Sequence, residues 1–224
     1  MFIGHFAVGI AAKRAGPRAS LGTYILAAQF LDLLWPTFVL LGIESVRIAP
    51  GITVVTPLDF TSYPYSHGLL ASFFWAALFG SVYWLARRNR RESLVLGLVV
   101  LSHWILDFVS HRPDMPLDLS SDTRVGLGLW SSLVLTLLVE LSMFAGACVL
   151  YLDATRARDR TGRWACWALL AFLLVTYLAA QFGPPPPNVE AMVWTTQSMW
   201  LLVAWGYWID RHRESAQVLS PARA

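Results

Sequence analysis

Charge is scarce in this chain of 224 residues: 14% of positions are Asp, Glu, Lys or Arg, against about a quarter in an ordinary soluble domain. With 56% hydrophobic residues beside that shortfall, a soluble globular domain of this length is excluded. Lysine is rarer still, because every basic residue except Lys13 is Arg. The two cysteines, Cys148 and Cys166, fall within apolar runs and form no CxxC pair, so they read as small buried hydrophobes. HExxH, GxSxG and P-loop patterns are missing, which removes zincins, nucleophile-elbow hydrolases and P-loop nucleotide enzymes. Gly126-Leu127-Gly128 lacks the third glycine and the preceding strand of a dinucleotide loop. A secretory signal is not expected, since the apolar residues 1–12 precede Lys13, Arg14 and Arg18, the reverse of signal order.

Long apolar runs take the place of charge. They predict an all-α polytopic membrane protein with six transmembrane helices, over residues 21–43, 67–86, 93–110, 126–152, 164–182 and 191–209. Each run can cross ~30 Å of hydrocarbon at ~1.5 Å per residue. A single membrane domain, 1–210, accounts for the length, followed by a cytoplasmic tail, 211–224. Residues 1–12 are too short to span. As a half-helix rising from Lys13 and Arg14 they would lift His5 by ~12 Å toward the bilayer centre; an interfacial helix is the alternative. Pro184 to Pro187 predict a stiff turn after the fifth span.

Arginine placement predicts orientation. Alternate loops carry Lys13/Arg14/Arg18, Arg87/Arg88/Arg90/Arg91, Arg156/Arg158/Arg160/Arg163 and Arg211/Arg213/Arg223, which is 14 of the 17 basic residues. The other face holds only Arg47, Arg112 and Arg124, with Glu44, Asp59, Asp114, Asp118, Asp122 and Glu190. The positive-inside rule then puts both termini in the cytoplasm. This loop patterning explains the net charge of +3 as a topology signal, and no nucleic-acid partner is expected.

Against that apolar background, Asp32, His67, His103, Asp107 and Glu140 fall inside or at the mouths of spans. Ionisable groups at such depth cost at least ~2.5–3.5 kcal/mol to insert and mark functional interiors. His103-x-x-x-Asp107-x-x-x-His111 keeps three such groups within an 80° stripe of one helix. His103 and Asp107, one turn apart, can share an ion. His111 lies ~12 Å along the axis from His103, too far for the same ion unless the helix unwinds near Pro113. A second metal or a substrate contact suits it better. Asp32, among Leu31, Leu33, Leu34 and Trp35, needs a cation or a proton, and Glu140 meets the same argument. For both, a protonated carboxyl bonded across helices is the structural alternative. Ser66 is the expected N-cap of the second span, opened by His67.

The topology gathers His67, His103, Asp107, His111, Asp32 and Glu140 in the outer half of the bilayer. His212, flanked by Arg211 and Arg213, stands apart as a tail residue. Imidazole and carboxylate ligands suit a divalent metal, zinc first, with manganese or iron(II) as alternatives. Two ions bridged by Asp107 would activate water and clamp a phosphoryl or carbonyl oxygen. Arg112 and Arg124 are candidates for binding an anionic substrate; ordinary pairing with Asp114, Asp118 or Asp122 is the alternative.

His5 with Gly9, Asp32 before Trp-Pro, the YPYSH stretch ending in His67, SHWILDFVSHRPDMPL and GLGLWSS together resemble the YdjM-like family of bacterial inner-membrane proteins, classed as metal-dependent hydrolases. The resemblance covers about residues 1–150. The order His, Asp, His, HxxxD, His, Glu is also similar to the zinc-dependent phospholipase C and single-strand nuclease superfamily. That similarity implies one zinc on Asp32, His67, His103 and Asp107, a second on His5 and Asp107, and a third on His111 and Glu140. Where the superfamily has a His four residues before its final Glu, this chain has Thr136, which removes a ligand from the third site.

Taken together, these features predict a metal-dependent hydrolase in the bacterial inner membrane. Its substrates would be phosphoesters, lipid or lipid-linked, reaching the site from the outer leaflet. Asp32, Asp107 and Glu140 are the expected catalytic acids. A proton or metal-ion transporter is the competing class, and it requires polar residues across the whole membrane. A non-catalytic scaffold with polar interhelical contacts is a third.

Overall fold

The computed structural model describes residues 1–119 and 123–216. Asp122 and Arg223, and residues 217–224 of the expected tail, lie outside the described residues. Helices dominate: α1 Ile3–Ala15, α2 Leu21–Ala28, α3 Phe30–Leu40, α4 Pro64–His67, α5 Leu69–Arg87, α6 Arg90–Ser110, α7 Leu133–Ala154, α8 Arg160–Phe182, α9 Val189–Gln197 and α10 Met199–Arg211. Three two-stranded antiparallel ribbons join their ends: β1 Ser45–Ile48 with β2 Leu58–Ser62, β3 Met115–Pro116 with β4 Arg124–Val125, and β5 Thr155–Ala157 with β6 Arg213–Ser215.

Four helices, α5, α6, α7 and α8, are each long and apolar enough to cross a membrane; α2 and α3, bent by 54°, make a fifth if counted as one broken span. The expected first and sixth spans are therefore not continuous helices. The first breaks at Gln29 (φ −99°, ψ 8°) and the last at Ser198, neither of them a proline or glycine. Two other boundaries move. The second span starts at Leu69 because Gly68, in extended conformation, separates it from the single turn α4. The fourth begins at Leu133, since residues 126–132 form a loop and the 3-10 turn Leu129–Ser131.

Buried residues place α1 at the centre. Ile3, Phe6, Ala7 and Ile10 line one face and are enclosed, and Gly4, His5 and Gly9 on its other sides are buried as well, so it is a core helix and not a surface amphipath. It packs on α7, α2 and α6. The four long apolar helices, by contrast, turn much of their surface outward: Leu94, Leu98, Val134, Leu138, Val149 and Val175 are exposed. Side chains of this kind suit a lipid surround.

Small residues let helices close on one another where lipid gives no burial advantage. At the α2–α10 crossing a Cβ on Gly206 would lie 2.8 Å from the Gly22 Cα, and one on Gly22 would meet Tyr207 at 2.5 Å. At the basic end, Glu92 accepts from Tyr24 Oη (2.8 Å) and the Arg18 and Ala19 amides (3.0 and 3.2 Å), tying α6 to the α1–α2 turn. At the other end, Trp35, Val46, Tyr63, Trp104, Met115, Met192 and Val193 form an apolar cap over the interior.

Candidate metal centre

Helix α6 presents His103 and Asp107 one turn apart to the interior, as their spacing requires. Four other segments bring the remaining groups to them. Asp32 comes from the first turn of α3, His67 from the end of α4, His5 from the first turns of α1 and His111 from the residue after α6. The Asp107 carboxylate lies between two sets of imidazoles. Its Oδ2 is 3.2 Å from His103 Nε2 and 3.7 Å from His67 Nε2. Its Oδ1 is 3.0 Å from His5 Nε2 and 3.9 Å from His111 Nε2. Asp32 Oδ1 closes the first set, 3.4 Å from His67 Nε2 and 3.6 Å from His103 Nε2.

These separations fit a shared cation. Two ligand atoms each ~2.1 Å from one ion, at the tetrahedral angle, stand ~3.4 Å apart. The four distances among Asp32, His67, His103 and Asp107 run from 3.2 to 3.7 Å. They lie at or beyond the long limit of a good hydrogen bond and are centred on the tetrahedral value. His103 Nε2 is fully buried and, among the described residues, has no hydrogen-bond partner in spite of its two carboxylate neighbours. An orphaned buried imidazole nitrogen facing two carboxylates is what a cation between them would satisfy. His5, His103 and Asp107 form a second close group, and the His5 and His103 rings stack at 3.6 Å.

Three of the imidazoles have their tautomer fixed from outside. His103 Nδ1 lies 2.7 Å from the Ala28 carbonyl, which can only accept, so Nδ1 carries the proton. That carbonyl is available because α2 ends at Ala28, and a helix leaves its last carbonyls unpaired. The break in the first span thus builds the site. Ser66 Oγ donates to Glu44 Oε2 (2.6 Å) and so accepts from His67 Nδ1 (2.8 Å). Glu44 also receives the amides of Tyr65 and Ser66, both at 2.8 Å. Burial pushes the Glu44 carboxyl above its ordinary value, against the Ser66 and Tyr65 bonds that favour its charge. His111 Nδ1 donates to Asp114 Oδ1 (3.0 Å), which also accepts from Tyr63 Oη (3.0 Å). Each of the three rings therefore directs a lone pair at Nε2 inward, the arrangement of ligating histidines held by carboxylates and carbonyls.

His111 reaches this group because α6 ends at Ser110. With φ −67° and ψ 150°, His111 leaves the helix and its ring folds back toward Asp107. Unwinding before Pro113 leaves the His111 ring within 3.9 Å of Asp107 from extended backbone. The Met1 amino group donates to Asp107 Oδ1 and to Ser110 Oγ (3.1 Å).

Glu140 is held differently from the expected catalytic acid. Its Oε2 accepts the amides of Phe2 and Gly4, both at 3.1 Å, and so satisfies the N-terminus of α1. It positions the helix that carries His5. Thr136, four residues earlier, gives its hydroxyl to the carbonyls of Leu129 and Ser132. Ser66 is not the N-cap of α5 but a link between Glu44 and His67. The two arginines are engaged by protein. Arg112 bonds Asp59 and, at 3.0 Å, Asp114; Arg124 reaches the carbonyls of Phe60, Thr61 and Asp114 at 3.0–3.5 Å. Neither is directed at the cluster by these bonds.

Access is one-sided. The side chains of His5, His67, His103, Asp107 and His111 are at most 5% exposed, whereas that of Asp32 is 25% exposed. On the opposite side, Leu96, Val99, Val100, Tyr24, Ala27 and Leu31 form an apolar cluster between the His/Asp group and Glu92.

The chain matches no family model, no curated protein and no solved structure.

Proposed function

We propose that Asp32, His67, His103 and Asp107 hold a divalent cation, and that the protein is a membrane-embedded metal-dependent hydrolase of phosphoesters. The observation that carries this reading is the unpartnered His103 Nε2 facing Asp32 and Asp107 at 3.6 and 3.2 Å. The donor set, two imidazoles and two carboxylates, is that of zinc, with manganese or iron(II) as alternatives. His5, with the other oxygen of Asp107, would serve a second ion, with His111 approaching the same oxygen. A divalent cation supplies Lewis-acid polarisation of a phosphoryl group and acidifies water.

The chain's own residues do the rest. Ala28 and the Glu44–Ser66 pair hold His103 and His67 with their lone pairs inward. Asp114 does the same for His111. Glu140 anchors α1 so that His5 faces Asp107. Asp32, at the one partly exposed edge, is where substrate meets the site. A lipid or lipid-linked phosphoester suits a site set among spanning helices, in the leaflet away from the arginine-rich loops. The YdjM-like resemblance and the bacterial inner membrane, with both termini cytoplasmic, belong to the same proposal.

An ion pathway needs polar groups on both sides of the cluster. The apolar plug of Leu96, Val99 and Val100 speaks for hydrolysis over transport. The test is hydrolysis of a panel of phospholipids and bis(p-nitrophenyl) phosphate by the purified, metal-loaded protein. Activity lost in both Asp107→Asn and His103→Ala supports the proposal. Metal or proton flux in proteoliposomes with no hydrolysis of the panel overturns it in favour of transport.

A further inference from the structure

A second feature lies on the far side of α6 and takes no part in the His/Asp cluster. Helices α5 and α6 cross closely: a Cβ on Gly80 would sit 3.0 Å from the Ser93 carbonyl oxygen, and one on Gly97 3.1 Å from that of Ala76. Beside this crossing the two helices enclose an outward-facing groove of about 460 Å³. Its walls are apolar, including Phe73, Ala77, Leu94 and Leu98, and it ends at Trp84 and Arg90. Phe73, Leu94 and Leu98 are exposed, so the groove faces the medium around the helices.

The polar end carries an uncompensated charge. Arg87, Arg88, Arg90 and Arg91 fall within five residues, and among the described residues none of them forms an ion pair. Arg88 lies over the Trp84 ring at 5.1 Å. The nearest carboxylate in sequence, Glu92, is buried and committed to Tyr24 and the α1–α2 turn. An apolar slot along two spanning helices, closed at one end by arginines and an aromatic ring, matches an acyl chain with an anionic headgroup.

We propose that this groove binds an anionic phospholipid of the leaflet that faces the arginine-rich loops. One acyl chain lies between α5 and α6, and the phosphate is held by Arg90 with its neighbours. Arg90 precedes His103 by 13 residues, or ~20 Å along the helix axis. The lipid is thus separate from the substrate of the His/Asp site, and the inference stands or falls independently of the hydrolase reading.

Native mass spectrometry of the full chain, titrated with phosphatidylglycerol or phosphatidylcholine, tests it. Wild type should retain phosphatidylglycerol selectively. Arg90→Gln should weaken that retention roughly fivefold, as expected for one juxtamembrane arginine. Ala77→Phe, which fills an exposed position of the groove, should lower it with all arginines intact. Arg156→Gln, in another basic loop, should leave it unchanged. Equal retention of the two lipids, or unchanged selectivity in both groove variants, overturns the proposal. A lipid-free dimer abolished by Ala77→Phe would overturn it too, assigning the groove to a second copy of the chain.

Discussion

Ser66→Ala isolates the outer support of the metal centre from its scaffold. In wild type the Ser66 hydroxyl donates to Glu44 at 2.6 Å and accepts from His67 Nδ1 at 2.8 Å. The substitution deletes both bonds but keeps the backbone amides of residues 65 and 66 on Glu44, each at 2.8 Å, so α4 stays docked. Losing a buried bond to a carboxylate costs about 1–3 kcal/mol of stability. Releasing His67 from its fixed tautomer should weaken metal binding by roughly 10–100-fold, equivalent to about 1.4–2.7 kcal/mol. Competition of the purified protein with a chromophoric zinc chelator reads the affinity, and thermal unfolding in detergent reads the stability. Ser72→Ala is the control: its hydroxyl is buried and, among the described residues, bonded only to the carbonyl of Gly68, the N-cap of its own helix, at 2.9 Å. It should leave zinc affinity unchanged. Wild-type zinc affinity in Ser66→Ala, or an equal loss in Ser72→Ala, would refute the idea that Glu44 and Ser66 set the His67 lone pair.

Other consequences follow from single contacts. Glu140→Gln weakens the charge-assisted bonds to the Phe2 and Gly4 amides and should lower stability by about 1–3 kcal/mol while zinc still binds at Asp32, His67 and His103; thermal unfolding with metal analysis checks both. Gly206→Ala forces α10 off Gly22, where there is only 2.8 Å of room, and should cost about 1–3 kcal/mol, read as a lowered Tm. Asp159, the N-cap of α8, is held below the ordinary carboxylate range by the Gly162 amide and then by His212. Its contribution to stability is therefore complete above pH ~3.8 and lost as pH falls through the lowered value. Asp159→Asn should flatten that acid limb of the Tm profile.

Depth and residue type made Asp32, His67, His103, Asp107 and His111 stand out in the sequence, because ionisable groups are conspicuous within or beside apolar runs, whereas His5 entered as a ligand only through the family resemblance. What holds them did not stand out. Glu44, Ser66, Tyr63 and Asp114 lie in polar loops and a single helical turn, where such residues are ordinary, and their roles depend on hydrogen bonds spanning up to 51 positions. The break after α2 carries no proline or glycine. Its one trace in the sequence was the amide residue Gln29, which is fully buried and whose side chain finds no hydrogen-bond partner among the described residues. Glu140 looked like the Asp and His residues by depth, but a carboxylate that satisfies a buried helix N-terminus has the same signature. Helix type was readable for the long apolar runs, whereas continuity failed at Gln29, Gly68 and Ser198, and the loop over residues 126–132 and the three short ribbons departed from an all-α reading.

Metal analysis of the purified wild-type protein beside His103→Ala and Asp107→Asn bears most directly on the whole account. One or two equivalents of zinc, manganese or iron per wild-type chain, falling by at least one equivalent in each folded variant, is the predicted result. Wild-type protein without metal after incubation with each of these ions, or full metal content in both variants, would contradict it.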